Sequence, residues 1–248
     1  MRKILPILLC PSLFAITGEE LARKVEHLTK PYNLKAHITM TLIDKKGRAS
    51  QTTFKSITKD SGKKQMIWIL SPAMDRGTSF LKIENDDGSD DLRMWLPAFK
   101  KIRRISAKKR TESFMNSDIS YEDMYVRKIE DYNFEIVGEE VFNDEDCYLL
   151  ESTAKNVSAS QYSKHLSWIS KSDYLPVKEI SFDVNGNLLK EKEISYTRQK
   201  DYFIAEKIVV INVKSDHSTV VDMEKIQVNT EVPDHLFHER NLKRIYLN

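Results

Sequence analysis

The sequence predicts a mainly β protein, in which one antiparallel meander curls into a full or partial barrel. Most of the chain alternates apolar and polar residues with a period of two, the pattern of half-buried strands. Short polar turns recur at roughly ten- to fourteen-residue intervals, as expected for consecutive antiparallel strands. The count of about eleven strands is too high for a flat sheet, so the sheet should curve.

The chain begins with a pattern typical of a secretory signal. Arg2 and Lys3 precede an apolar run, residues 4–16, that is too short to span a bilayer. We therefore expect residues 1–18 to be a signal peptide, cleaved near residues 15–18, and residues 19–248 to form a single domain. The alternative is a buried first helix, but Pro6 and Pro11 would break it.

The two cysteines, Cys10 and Cys147, do not predict a disulfide. Cys10 follows Leu9 early in the apolar run, whereas a lipidated cysteine normally follows a small residue, so export without lipidation is the favoured interpretation. Removal of the signal leaves Cys147 alone. Its neighbours indicate a half-buried strand thiol rather than a nucleophile.

The elements can be placed in order along the chain. Residues 19–30 carry Leu21, Val25 and Leu28 at helical spacing and precede Pro31, which predicts one amphipathic helix. Residues 233–238 suggest a short closing helix. The predicted strands cover residues 34–44, 50–58, 64–70, 78–84, 133–141, 147–154, 164–170, 177–183, 188–196, 203–213 and 219–228.

No catalytic or metal-binding signature is present in the sequence. G-x-S-x-G, G-x-G-x-x-G, the P-loop and H-E-x-x-H are all missing. His235 and His238 are close in sequence but lack companion ligands, and residues 86–90 resemble a calcium loop only in composition. We therefore expect no cofactor and no metal.

The stretch from residue 94 to residue 124 is the most distinctive part of the chain. Seven of the eleven residues from 100 to 110 are Lys or Arg. Such a run can meet phosphate head groups or an acidic partner, although it is also consistent with a solvated face. The predicted export signal argues against nucleic acid. The candidate contacts are Lys100, Lys101, Arg103 and Arg104.

The same stretch predicts a hairpin that continues into a helical segment. Residues 93–96 should pair with residues 101–105, after which Ser117 or Asp118 should cap a helix. Large apolar side chains here and on nearby strands suit an adaptable lipid pocket, although each also suits an ordinary core. These candidates are Met66, Trp68, Phe80, Trp95, Phe114, Met115, Tyr121 and Met124.

The central stretch resembles the outer-membrane lipoprotein-sorting family, the LolA-like periplasmic carriers. The matching residues are 77–80, 95–98, 100–105, 113–118 and 121–123, and Asn116 stands where the family pattern is expected to have glycine. The resemblance implies an incomplete, half-open antiparallel β-barrel whose apolar concave face is covered by a helical lid.

The resemblance further implies a periplasmic carrier that shelters the acyl chains of a lipid or lipoprotein between sheet and lid. An inner-membrane transporter or an outer-membrane acceptor would then be its protein partner. Two other functions remain open. An acyl hydrolase would need a Ser–His hydrogen bond pointing into the pocket, whereas a non-catalytic adaptor of an envelope transporter would fill the cavity with its own side chains.

Overall fold

One antiparallel sheet of thirteen strands dominates the structure, a computed structural model that describes residues 16–87, 90–106, 109–125, 127–158 and 160–244. Most of the predicted signal peptide, including Cys10, lies outside these residues. The strands are β1 Leu34–Ile43, β2 Ala49–Lys59, β3 Lys64–Ser71, β4 Ser79–Ile83, β5 Asp91–Leu96, β6 Lys101–Arg104, β7 Tyr132–Phe142, β8 Glu145–Ala154, β9 Tyr162–Ser170, β10 Pro176–Asp183, β11 Leu188–Gln199, β12 Tyr202–Asn212 and β13 His217–Val228.

The mainly β, open curved architecture predicted from the sequence is confirmed, but the strand count is not. All eleven predicted strands are present, and the two further strands are β5 and β6. These two strands form the hairpin predicted in the basic stretch, with Trp95 opposite Ile102. The count of eleven was too low because it left out the two strands of this hairpin.

The strand order gives the chain one long connection. Every strand pairs with its neighbours in sequence, except that β1 pairs with β13 and that β6 and β7 lie at opposite edges of the sheet. Residues 105–131, which join β6 to β7, must therefore cross one face of the sheet. We call them the crossing segment, and the face that they cover is the inner face.

A row of paired residues shows which side chains share the inner face. Met40 of β1 pairs with Val221 of β13, Val221 with Ile208 of β12, and Ile208 with Ile194 of β11. Directly paired residues on neighbouring strands point to the same side of a sheet. This row therefore joins the core beneath the crossing segment to the half of the inner face formed by β7–β12.

The two edge strands carry opposite charge. The short strand β6 exposes Lys101, Arg103 and Arg104, whereas β7 exposes Glu135, Glu139 and Glu140. Charged side chains on edge strands oppose the addition of further strands.

Cys147 of the neighbouring strand β8 is a free, buried thiol, and burial raises its pKa above the ordinary value.

The single α-helix of the described residues is α1, Gly18–Glu26. Thr17 accepts a hydrogen bond from the backbone of Glu20, whose carboxylate accepts one from Thr17, so a capping box begins the helix. The helix is shorter than the predicted 19–30, because the chain leaves helical geometry at His27. No helix in the described part of the chain is long and apolar enough to cross a membrane.

The predicted helix in the crossing segment is wrong. The described residues form a bridge between Ser113 and Ser120 and two 3-10 turns, Glu122–Met124 and Ile129–Asp131. The expected caps have other partners: the Ser117 hydroxyl donates to the Phe114 carbonyl, and Asp118 accepts hydrogen bonds from β13. Asn116 has a φ of +59°, the left-handed geometry that glycine adopts most easily.

The last part of the chain covers the outer face of β2–β4. In place of the predicted closing helix it forms two 3-10 turns, Asp234–Phe237 and Glu239–Lys243. Leu236, Phe237 and Leu242 are buried there against the strands. The Ser79 hydroxyl donates a 2.6 Å hydrogen bond to the carbonyl oxygen of Leu242, which fixes the segment to β4.

We expect Gly18→Ala to destabilise the protein through the contact between α1 and β7. A Cβ at Gly18 would lie 2.7 Å from the carbonyl carbon and oxygen of Phe134, so helix and strand must separate. Such overpacking typically costs about 1–3 kcal/mol, against which the better helix propensity of alanine returns at most about 1 kcal/mol.

The urea midpoint of unfolding measures the effect of Gly18→Ala, and Gly138→Ala is its matched control. A Cβ at Gly138 meets only the Leu149 side chain, at 3.5 Å. Equal midpoints for the two variants would show that α1 does not dock closely on β7.

Candidate functional site

Five of the eight predicted apolar site residues form a closed core on the inner face. The rings of Phe80 and Phe114 lie 4.8 Å apart, and Tyr121 meets Phe114 edge-on at 6.0 Å. Met115 and Met124 pack against this cluster. These contacts hold the crossing segment against the half of the sheet formed by β1–β6 and fill the space between them.

The other three predicted residues lie on the outer face. Met66 and Trp68 are fully buried beneath the C-terminal segment, and Trp95 packs against the same cluster. The Lys243 ammonium stands 5.3 Å from the Trp95 ring centroid. The structure therefore divides the eight residues between two faces, and their lipid-binding role stays a prediction.

A cavity of about 540 Å³ lies on the inner face, in the half of the sheet formed by β7–β12. None of the eight predicted residues lines it. Its walls come from α1 and the loop after it, from the crossing segment and from six strands. The lining residues are Ala22, Val25, Glu26, Leu28, Thr29, Lys30, Asp123, Tyr125, Arg127, Ile129, Tyr132, Phe134, Leu150, Ser152, Ser167, Ile169, Leu175, Pro176, Glu179, Lys192, Ile194, Tyr196, Asp201 and Phe203.

The cavity opens between the loop after α1 and the turn between β11 and β12. Thr29, Lys30, Asp201 and Phe203 line it and are exposed. The wall between α1 and β7–β9 is apolar, because the helix packs onto Phe134, Leu150 and Ile169 there. A ligand can thus enter from solvent and place apolar atoms beneath the helix.

The wall formed by the crossing segment is charged. Both terminal nitrogens of Arg127 donate to Glu179, at 2.6 and 2.7 Å, and Lys192 donates to the same carboxylate at 2.8 Å. The Ser167 hydroxyl supplies a fourth hydrogen bond, at 3.2 Å. Register places these groups together, because Leu150, Ser167, Glu179 and Lys192 are paired in turn across β8–β11.

Electrostatics keeps this cluster ionised despite its burial. Burial alone would raise the pKa of Glu179, but Arg127 and Lys192 hold that pKa well below its ordinary value. Burial opposes the charged form of Arg127 as well, and Glu179 outweighs it, so the pKa of Arg127 is raised. The side chain of Glu179 is 8% exposed and that of Arg127 is 35% exposed, so Arg127 is the accessible member.

A second polar cluster fixes the crossing segment to β9 and β11. Asp123 accepts a 2.7 Å hydrogen bond from the Tyr162 hydroxyl and lies 3.0 Å from the Lys190 ammonium. Burial opposes ionisation of Asp123, but Lys190 and these hydrogen bonds lower its pKa below the ordinary value. Glu122 accepts hydrogen bonds from the Ser160 hydroxyl and the Gln161 amide.

Ser181 and His165 form a buried Ser–His contact. An acyl hydrolase would need such a contact to face its pocket. The hydroxyl lies 2.9 Å from Nδ1 of the imidazole, which is 0% exposed, and no described protein group pairs with Nε2. Burial, followed by the charge of Arg127, lowers the pKa of His165 to about 3. Neither residue lines the cavity, so the hydroxyl does not face a ligand there.

The predicted head-group residues lie at the β5–β6 hairpin, away from the cavity lining. The 3-10 turn Pro97–Phe99 forms its tip, where the Phe99 side chain is 70% exposed. Lys100, Lys101, Arg103 and Arg104 follow and are exposed. Arg104 lies 3.2 Å from Asp91, which is the only acidic contact of these four among the described residues.

Solved structures of other proteins share this fold. A domain from Vibrio parahaemolyticus, provisionally described as an outer membrane lipoprotein-sorting protein, is 27% identical over 92% of this chain and 98% of its own, with a TM-score of 0.85. A DUF1329 family protein from Desulfovibrio piger is 26% identical over 91% and 97%, with a TM-score of 0.83. A LolA superfamily protein from Nitrosomonas europaea is 21% identical over 92% and 100%, with a TM-score of 0.72.

A protein-family model described only as an uncharacterized protein matches residues 61–244, most of the chain. The chain belongs to the family that this model describes, and its fold is that of the lipoprotein-sorting domain and the LolA superfamily protein. This confirms the resemblance that the central stretch indicated. No curated protein matches the sequence.

In this LolA-like protein the sequence did not indicate the charged wall of the cavity. Glu179 and Lys192 each occur in a strand with alternating charge, which resembles an ordinary solvated strand. Arg127 follows a 3-10 turn with no motif around it. Register across β9–β11 brings Glu179 and Lys192 together, and the crossing segment places Arg127 against Glu179.

We expect His165 to make the stability of the protein depend on pH between about 7 and 5. The imidazole is neutral in the folded state but takes up a proton near pH 6.5 when the chain unfolds. The unfolded state then binds more protons, so the free energy of unfolding falls as the pH drops, by about 1.4 kcal/mol per pH unit for each proton.

Urea titrations at several pH values measure this slope. His165→Gln should make it shallower and leave the contribution of His37, whose pKa is also lowered, chiefly by burial. The exposed His27→Gln is the control and should keep the slope of the unmodified protein. An unchanged slope in His165→Gln would contradict the assignment.

Proposed function

We propose that this protein is a carrier of lipid or lipoprotein acyl chains in the bacterial periplasm. The observation that carries the proposal is the cavity of about 540 Å³ on the inner face of an open, LolA-like sheet. Proteins of similar structure include one described as an outer membrane lipoprotein-sorting domain. A transporter in the inner membrane or an acceptor in the outer membrane would exchange the cargo.

The apolar wall supplies the driving force for this role. Each methylene group that leaves water for an apolar site contributes about 0.8 kcal/mol. Phe134, Leu150, Ile169 and Ile194 provide such a surface on the strands, and α1 covers it from the other side. An acyl chain held there is shielded while it crosses an aqueous compartment.

We propose that residues 1–18 are an export signal and that residues 19–248 form a single domain. The capping box of Thr17 and Glu20, which begins α1, overlaps the end of this signal. Cleavage before Thr17 would keep this cap, whereas cleavage after Gly18 would remove both the cap and the glycine that meets β7. One continuous sheet that includes β1 and β13 is consistent with one domain.

The basic hairpin supports contact with a membrane that carries anionic lipids. An exposed aromatic residue beside several cations suits the boundary between head groups and acyl chains. Phe99 occupies the tip, and Lys100, Lys101 and Arg103 have no acidic partner among the described residues. We propose that this tip meets lipid head groups when cargo is loaded or released.

No catalysis is proposed. An acyl hydrolase would place a serine and a base in the cavity, and the Ser181–His165 pair lies outside its lining with a weakly basic imidazole. An adaptor would fill its inner face with its own side chains, but here the cavity leaves part of that face open. The carrier role therefore suits the geometry best.

We expect Ile194→Trp to abolish acyl-chain binding. Ile194 is a half-buried strand residue in the cavity wall, so a larger side chain occupies the space meant for ligand. Native mass spectrometry of the delipidated protein after incubation with lipids or lipopeptides measures the bound mass. The control is Ile211→Trp, the same change at an exposed position of β12.

Both variants must unfold at temperatures close to that of the unmodified protein for the comparison to count. The proposal fails if the unmodified protein never retains a lipid or lipopeptide. The assignment of the cavity fails if Ile194→Trp and Ile211→Trp retain equal amounts.

We also expect the double variant Lys100→Glu/Lys101→Glu to lose binding to anionic vesicles. Basic residues near an anionic surface contribute about 1 kcal/mol each, and charge reversal replaces this attraction by repulsion. Co-sedimentation with phosphatidylglycerol vesicles, against phosphatidylcholine vesicles, measures the difference. Lys45→Glu/Lys46→Glu, at the exposed turn between β1 and β2, is the matched control. Equal loss in both double variants would indicate a general charge effect instead of a specific tip.

A further inference from the structure

In the charged wall of the cavity, Arg127 and Lys192 have hydrogen-bond donors to spare, whereas Glu179 has no spare acceptor. Glu179 accepts from two nitrogens of Arg127, from Lys192 and from Ser167. A carboxylate offers about four lone-pair sites, so these four bonds use its acceptor capacity. Arg127 has five N–H groups and Lys192 has three. Further donors of both cations thus remain for a ligand.

The charged wall also carries a net positive charge. The two cations and the single carboxylate of the Arg127–Lys192–Glu179 cluster leave one positive charge in excess. Asp123 does not offset it, because Lys190 lies 3.0 Å from that carboxylate and Ser120 and Tyr162 also donate to it. His165 is neutral, since its pKa is lowered to about 3. An anionic group would restore neutrality and accept the remaining hydrogen bonds.

The volume of the cavity limits the apolar part of the ligand. A methylene group is close in size to a water molecule, whose share of liquid volume is about 30 Å³, so a cavity of about 540 Å³ holds on the order of eighteen such groups. One long acyl chain has about this size, and a second chain would have to extend beyond this volume. The apolar wall beneath α1 provides the surface along which one chain can lie.

We propose that the cavity binds an amphiphile with one acyl chain and one anionic head, whose head is held by Arg127 and Lys192. This inference rests on the proposed carrier function and narrows its cargo. The chain lies along the apolar lining of the cavity, and the head meets the crossing segment. Because both cations also bind Glu179, the anion approaches a preorganised pair and orders no flexible side chain, which reduces the entropic cost of binding.

The test compares ligands that differ only in head group or chain number. Hexadecanoic acid, its methyl ester, a lysophosphatidic acid and a two-chain phosphatidic acid are each titrated into the delipidated full-length protein by calorimetry. We expect the acid to bind about tenfold or more tightly than the ester, the typical effect of a charge-assisted hydrogen bond. Comparable binding of lysophosphatidic acid would identify a phosphate as the head, and the two-chain lipid should bind weakly.

Three variants separate a binding role from a structural one. Lys192→Met removes one cation while Arg127 still pairs with Glu179, and it should lower the affinity for the acid about tenfold without changing that for the ester. Lys192→Arg should restore the preference for the acid. Lys207→Met, at an exposed position of β12, should have no effect on either ligand.

The outcomes distinguish this inference from the carrier proposal. If acid and ester bind equally and Lys192→Met changes neither, the anion site is wrong but an acyl-chain carrier remains. Equal affinity for the two-chain lipid overturns the limit of one chain. If no ligand binds at all, the carrier proposal itself fails.

Discussion

The position of β6 and β7 at opposite edges of the sheet is the constraint on which the rest of the structure depends. Because these strands are consecutive in the chain, the connection between them has to cross the inner face. It is held there by one half of the sheet through the aromatic cluster around Phe114 and by the other half through ionised groups around Asp123 and Arg127. The first half is filled by this contact, and the cavity occupies the second.

The two kinds of attachment have different physical consequences. Aromatic packing removes apolar surface from water and leaves little space, whereas ion pairs fix their partners at set distances and leave room beside them. Between the aromatic cluster and the ion pairs, Lys82 of β4 donates a hydrogen bond to the carbonyl oxygen of Met124. The charged groups therefore have two effects: they hold the crossing segment in place, and they give one wall of the cavity a polar character that the wall formed by Phe134, Leu150 and Ile169 lacks.

The sequence predicted the strands well because alternation is a local property, and it predicted the family from a local motif. Two features depended on information that is not local. Ser120 and Asp123 exchange the hydrogen bonds typical of a helix N-terminus, but Tyr162 and Lys190 also bind Asp123 and the chain makes only one turn there. Likewise, Phe80 and Trp68 are large apolar strand residues of the same kind, yet they lie on opposite faces of the sheet. The cavity could not be predicted, because six strands contribute to it and only their register shows which residues meet.

An open sheet also differs from a closed barrel in that it ends in two free strands, each with unpaired backbone groups. Here those ends have unlike electrical signs, basic along β6 and acidic along β7. When two copies meet through the same edge, like charges face each other, which opposes symmetric pairing, whereas β6 of one copy and β7 of another carry opposite charges. The charge pattern thus selects the orientation in which two copies would meet: head to tail, in preference to a symmetric dimer through one edge.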